Sequence, residues 1–459
     1  MVHDLVDQRL QIGVVLFELA AFALALALNR FSNRLDLLTA RQAVIIAVPL
    51  LLSVASAGYV ARQLIRARGT AGRRLGFALA ANLVGVALAL TLAEAAVRAL
   101  AVDTSTGRSF AGTILLPKAW DEVRVRASEI LAHTPVNVSY LVPDETLGWV
   151  PGSSRRDRSG IYATSVEGIR SDRPGVSYSK VDAGRRVALV GDSYTFGLEV
   201  PFDQSWGNRL NRSLGSDTVV LNFGVDGYGV DQAYLRYKRD VRRWTPQVSV
   251  MGFIDHDLYR SLGVYTFITF PEWGFPFSKP RFTLEDERLV LLNVPLDPPT
   301  ELFARPSVMD LPFLSREPGY VADEWRRRAY DSSYLLRFLF SRFRPSARPE
   351  VEDEWNEEIA QLNTALLLQF ISDAAADGTS PMIVYFPSRG DFSGQDRSGK
   401  DRVLANLRHA GVDVVDMTSC IAARGEEAFI PGRPHYSSAG NSAVADCLLP
   451  LVKERLEAD

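Results

Sequence analysis

Ser193 stands in the run Val187-Ala-Leu-Val-Gly-Asp-Ser-Tyr-Thr-Phe-Gly197. Val187 to Val190 read as a short buried strand, Gly191-Asp192-Ser193 as a sharp turn, and Tyr194 onward as the start of a helix. A hydroxyl at the carboxyl end of such a strand lies where ligands bind in open α/β sheets. Backbone N–H groups left free there can stabilise a developing oxyanion. A serine nucleophile needs a base, and His435 in Pro434-His435-Tyr-Ser-Ser-Ala-Gly440-Asn441 precedes a predicted final helix. Its imidazole can take and return a proton. Asn222-Phe-Gly-Val-Asp-Gly227 follows a second predicted strand, and Ile254-Asp255-His256-Asp257 follows a third. Together these residues permit covalent acyl transfer, with Ser193 attacking a carbonyl and N–H groups holding the oxyanion. Alone, Gly-Asp-Ser would be an ordinary turn.

In their order, and in their places after predicted strands, these blocks resemble the SGNH (GDSL-like) hydrolases. Gly191, Asp192, Ser193 and Gly197 match the first block, Asn222 and Gly227 the second, and His435 the last. The likeness runs from about Arg186 to Leu449, with one long interruption. It implies that Ser193 is the nucleophile, His435 its base, and the Ser193 and Gly227 amides an oxyanion hole. Two positions depart. His256 stands where the third block carries an Asn that donates to the oxyanion, although an imidazole N–H can also donate. Gly432 stands where the last block carries the Asp that orients the histidine. The pair then works alone, a backbone carbonyl orients the ring, or another carboxylate folds in, with Asp255 and Asp416 as candidates. Losing such an acid costs rate through the wrong tautomer.

The resemblance implies a flavodoxin-like three-layer α/β core and an ester hydrolase that needs no metal or redox cofactor. Exported, membrane-anchored members act on O-acyl groups of envelope polysaccharides, so an acylated glycan or small ester is the expected substrate. Two other readings stay open. One is a sugar O-acyltransferase using a serine acyl-enzyme, with a membrane protein as partner. The other is a catalytically weak binding or assembly protein.

The elements that must position these residues are legible from hydrophobic pattern. Strands are predicted at Val187–Val190, Thr218–Leu221, Val248–Phe253, Met382–Phe386 and Val412–Val415. Helices are predicted at Trp206–Leu214, Gln232–Val241, Trp355–Ala376, Arg402–Ala410 and Ser438–Leu449. Apolar strands alternating with helices indicate a parallel sheet covered on both faces. The hydrolase-like domain is expected over 186–459, with an insertion at about 261–353. That insertion opens with Tyr265, Phe267, Phe270, Trp273, Phe275 and Phe277, expected mostly to pack a local core. A hairpin is predicted over 282–292 and an amphipathic helix over 334–343. Residues 101–185 read as a small β-rich collar.

The first hundred residues differ in character. Ile12–Leu28, Ala43–Ala61 and Leu75–Leu92 are apolar runs near the length that crosses a hydrocarbon core of about 30 Å. They predict a three-helix transmembrane anchor. Arg62, Arg66, Arg68, Arg73 and Arg74 outweigh the basic residues of the first loop, which places the second loop in the cytoplasm. The expectation is a multi-pass protein of the bacterial cytoplasmic membrane with its carboxyl-terminal domain outside, in contact with the lipid bilayer. Of 459 residues, 51 are basic and 54 acidic, and no basic stripe with interleaved aromatics suggests nucleic acid. The chain has two cysteines, Cys420 and Cys447, and five histidines, and these Cys and His residues together are too few for a structural zinc site to be expected. Both cysteines fall in the part expected to be exported, where disulfides persist, and a bridge is predicted between them.

Overall fold

The computed structural model describes residues 70–458, except 106, 134–138, 343–349 and 394–397. The apolar runs at 12–28 and 43–61 lie outside the described residues. The chain forms two compact units. Among the described residues, one unit holds those up to 103 with 108–117 and 326–342, and the other holds those of 104–107, 118–325 and 350–458. The smaller unit takes in 108–117 of the segment read from sequence as a collar and 326–342 of the segment read as an insertion.

The smaller unit is built on the helix Thr70–Leu100, which contains the third apolar run. Among the described residues no helix is long and apolar enough to cross a membrane. Phe77, Val84, Leu88, Leu90 and Leu92 of this helix are exposed. Near its end, Glu94 caps the helix Tyr334–Arg342, accepting from the Tyr334 and Leu335 amides at 2.9 and 2.8 Å. Arg337 donates to the carbonyls of Leu115, Leu116 and Pro117. These charged contacts explain why a segment from the middle of the chain folds with its beginning.

The larger unit carries the parallel sheet. Its strands are β1 (Arg185–Val190), β2 (Thr218–Asn222), β3 (Val248–Phe253), β4 (Ser380–Tyr385) and β5 (Val414–Asp416). They lie in the order β2-β1-β3-β4-β5, all parallel. This is the flavodoxin-like order, whose direction of winding reverses between β1 and β3. Helices follow as α1 (Ser193–Phe196), α2 (Trp206–Leu214), α3 (Val230–Arg236), α4 (Asp255–Arg260), α5 (Glu350–Ala376), α6 (Ser398–His409) and α7 (Ser438–Ala458). Side chains alternate between the two faces of a strand. Ala188, Val190, Met251 and Ile383 accordingly enter a core with residues of α3, α5 and α6. Val187, Leu189, Val250 and Val384 enter the opposite core with residues of α2 and α7.

The collar and the insertion pack against this frame. Trp149 of the collar is fully buried, stacks on Phe277 and meets Phe275 edge-on. Tyr265, Phe275 and Phe277 of the insertion are buried, and Phe270 stacks on Trp273 with ring centroids 4.1 Å apart. Those aromatics therefore form core. The hairpin pairs Arg281–Glu285 with Arg288–Leu292.

Candidate functional site

Ser193 opens α1 directly after β1. The turn between them depends on Gly191, whose φ of +152° is open to glycine and whose missing side chain lets the carbonyl of Gly252 on β3 approach. Asp192 is the N-cap of α1 and accepts from the Tyr194 and Thr195 amides at 2.9 and 3.4 Å. That cap fixes the rotation of the turn and hence the direction of the serine side chain.

His435 lies in the loop before α7, and its position is held from several sides. Tyr194 Oη donates to the carbonyl of Pro434 at 2.7 Å, so the residue beside Ser193 also anchors the histidine loop. Arg389 donates to the carbonyls of Arg433 and Ile430, each at 3.0 Å. The Ile430 amide donates to the His435 carbonyl at 3.1 Å. Cys420 and Cys447 are joined by a disulfide with Cα atoms 6.6 Å apart, closing the chain on either side of this loop.

His435 Nε2 is 2.9 Å from Ser193 Oγ, and His435 Nδ1 is 2.8 Å from Glu199 Oε2. An ionised carboxylate only accepts, so Nδ1 carries a proton toward Glu199 and Nε2 is left to accept from the serine hydroxyl. A hydroxyl, an imidazole and a carboxylate are thus arranged in line. The carboxylate that meets His435 is Glu199, where the reading from sequence offered Asp255 and Asp416 as candidates. Asp416 is exposed at the end of β5, where it accepts from the Thr418 amide at 2.9 Å. Asp255 is half-buried at the first position of α4.

Glu199 reaches the site from the loop after α1, with φ of +66°. That left-handed conformation is uncommon for a residue with a side chain, and such strain concentrates at functional sites. The collar supports it, since the Glu199 amide donates to Tyr162 Oη at 2.9 Å. Arg170 closes over Phe196 and donates to the Val200 carbonyl at 3.0 Å. The contact with His435 outweighs desolvation and holds the Glu199 carboxyl below its ordinary pKa, with help from Arg433 at 3.2 Å. One signal in the sequence could have found this residue. Glu199 is the single charged side chain between Tyr194 and Phe202, in a stretch otherwise suited to burial.

Of the predicted oxyanion donors, the Ser193 and Gly227 amides have no acceptor within the chain among the described residues. Gly227 has φ of +79°, and the collar brackets it. Trp149 Nε1 donates to the Asp226 carbonyl at 2.8 Å, and Tyr228 Oη donates to the Trp149 carbonyl at 2.5 Å. His256 is exposed on the first turn of α4. The buried cation of that helix is Arg260, one turn further on. Asp226 adds a carboxyl that sequence reasoning did not single out. Burial pushes it up to about 6 against the pull of His435 and Arg260. No cluster suited to a metal ion occurs among the described residues.

No protein-family model and no curated protein sequence matches the chain. Among solved structures, it is similar to proteins described as G-D-S-L lipolytic hydrolases and their relatives. TesA shows 12% identity and a TM-score of 0.33 over 59% of this chain and 99% of that one. A putative lipolytic protein of the G-D-S-L family from Desulfitobacterium hafniense shows 12% and 0.30 over 57% and 95%. A catalytic variant of Axe2, an acetylxylan esterase from Geobacillus stearothermophilus, shows 14% and 0.31 over 59% and 95%. Likeness at this level carries no argument about what this chain acts on.

Proposed function

We propose that this protein is a serine esterase of SGNH type. The observation that carries the reading is the chain of contacts Ser193–His435–Glu199, at 2.9 and 2.8 Å. In the proposed mechanism His435 takes the proton of Ser193 as Oγ attacks an ester carbonyl. Glu199 stabilises the imidazolium that forms. The free Ser193 and Gly227 amides receive the negative charge of the tetrahedral intermediate. His435 then protonates the leaving alcohol, and water, activated by the same imidazole, releases the acid from the acyl-enzyme.

The proposed substrate is an O-acyl group of an envelope glycan, and the proposed setting is outside the cytoplasm at a membrane. Support for export comes from the Cys420–Cys447 bridge, since disulfides persist in oxidising compartments. Support for anchoring comes from the apolar runs of the first hundred residues and from the exposed Phe77, Val84, Leu88, Leu90 and Leu92. The test is turnover of an aryl acetate by the purified protein, with and without an oligosaccharide acceptor. Hydrolysis abolished by Ser193→Ala supports the esterase. Release that depends on the acceptor, with acetyl found on the sugar, replaces it with a transferase. No release in either condition refutes both.

A further inference from the structure

Arg260 is the buried cation closest in sequence to the position where the third block departs from its relatives' pattern. It is 7% exposed, and its guanidinium lies over the Trp273 ring, 4.6 Å from the centroid. A planar guanidinium stacked in this way is fixed in orientation, and it presents its donors as a rigid fork. Nη1 faces three acceptors from three segments. These are Asp257 Oδ1 at 2.6 Å on its own helix, the Tyr228 carbonyl at 3.3 Å and Asp192 Oδ2 at 3.4 Å. Asp192 is the N-cap of the nucleophile helix, and its Oδ2 also lies 3.3 Å from Ser193 Oγ. Tyr228 immediately follows Gly227. One side chain therefore touches both loops that carry the proposed nucleophile and the proposed oxyanion donor.

We infer that Arg260 is a positioning residue that holds the Asp192–Ser193 turn and the Gly227–Tyr228 turn at a fixed separation. The inference rests on the catalytic reading above. The two loops already meet nearer their strands, where the Val225 amide donates to the Gly191 carbonyl at 3.0 Å, Asn222 Nδ2 donates to the Thr195 carbonyl at 2.8 Å and Gly224 lies against the Thr195–Phe196 backbone; Arg260 adds the link further out, between Asp192 and Tyr228. An oxyanion hole works only when its donors are fixed where charge develops, and they must stay fixed during reaction. The acidic neighbours also need the cation. Asp257 is raised well above its ordinary pKa by burial and by Asp192, and Arg260 opposes that rise. Asp257 in turn accepts from the Ile254 amide at 3.0 Å, which ties the fork to the end of β3. The Arg260 Nε–H is buried without an acceptor among the described residues.

The test uses Arg260→Gln and Arg260→Lys in the full chain, with two readouts. The first is amide hydrogen exchange, which needs no turnover. Peptides covering 191–197 and 223–229 should exchange faster together in Arg260→Gln, while peptides from β3 and β4 stay as in wild type. The second is kinetics on an aryl acetate. We expect kcat to fall by about 10²-fold with KM changed less than about threefold, the cost of a misplacement near 1 Å. Arg260→Lys, which can hold Asp257 but lacks the fork, should lose most of the same rate. Added guanidinium should restore part of the activity of Arg260→Gln. Unchanged exchange at both loops, or loosening at only one, overturns the inference, as does unchanged kcat in both variants. If Arg260→Gln unfolds, Arg260→Lys decides by the same readouts. If the wild-type protein turns over no ester, the catalytic reading falls and the exchange readout still decides the positioning claim.

Discussion

Replacing Glu199 by Gln removes one charge and changes almost no volume. The magnitude follows from how the two oxygens are used. Oε2 faces His435 Nδ1 at 2.8 Å, and Oε1 faces Arg433 Nη1 at 3.2 Å. Arg433 can only donate, so in Glu199→Gln it selects the amide oxygen and turns the amide nitrogen toward His435. That nitrogen donates to Nδ1, which drives the ring proton to Nε2, opposite the serine hydroxyl. The base then presents a donor where it must accept. Locking a triad histidine in the wrong tautomer costs about 10⁴ in kcat in serine proteases, and we expect about 10³–10⁴ here because Arg433 is largely exposed and holds the amide less firmly. Glu199→Gln together with Arg433→Ala frees the amide to rotate and should recover about tenfold of the loss, on the order of 1.4 kcal/mol. The assay is steady-state hydrolysis of an aryl acetate, with thermal melting as a control for folding. A Glu199→Gln enzyme within about threefold of wild type would refute the tautomer argument. So would a loss that Arg433→Ala deepens instead of relieving.

Three further outcomes follow from the same contacts. Tyr162→Phe removes the acceptor of the Glu199 amide, so it should cost about 1 kcal/mol of stability and lower kcat on the aryl acetate; unchanged kcat would separate the collar from the site. Asp226 is raised from an unfolded carboxyl near 4 to about 6 by burial. Both states hold the proton below the lower value, and between the two only the folded state does, so its ionisation lowers stability as pH rises through that window. Asp226→Asn should therefore melt above wild type at about pH 7.5 and level with it at about pH 3.5, and an equal offset at both would contradict this. Replacing Cys420 and Cys447 by Ser opens a loop between residues 27 apart and should cost about 3–4 kcal/mol in chemical denaturation. An unchanged midpoint would show the bridge absent from the folded protein.

The core was legible because its physics is local. Buried parallel strands require unbroken apolar runs, and β3 occupies Val248–Phe253 as its pattern indicates. The other strands differ from expectation only at their ends. Helix α7 runs nine residues beyond its predicted end, through Pro450, because its later turns bury Val452 and Leu456. Ser193 and His435 were legible because their neighbours form recognisable blocks. Glu199 was not, because this carboxylate comes from the loop just after Ser193 and meets a histidine 236 residues away. Its placement depends on a left-handed residue and on Tyr162, and neither leaves a pattern in composition or spacing. The same holds for Arg260, which an alignment of blocks passes over in favour of His256. It holds again for residues 326–342, drawn to the amino-terminal helix by Glu94.

The central claim is that Ser193 is a nucleophile activated by His435 and oriented through Glu199. A serine-directed fluorophosphonate, followed by digestion and mass spectrometry, tests it most directly. The account predicts modification of Ser193 alone, abolished by Ser193→Ala and slowed by about 10³-fold or more in both His435→Ala and Glu199→Gln. Labelling that persists in Ser193→Ala, or that proceeds at the wild-type rate without His435, would contradict it.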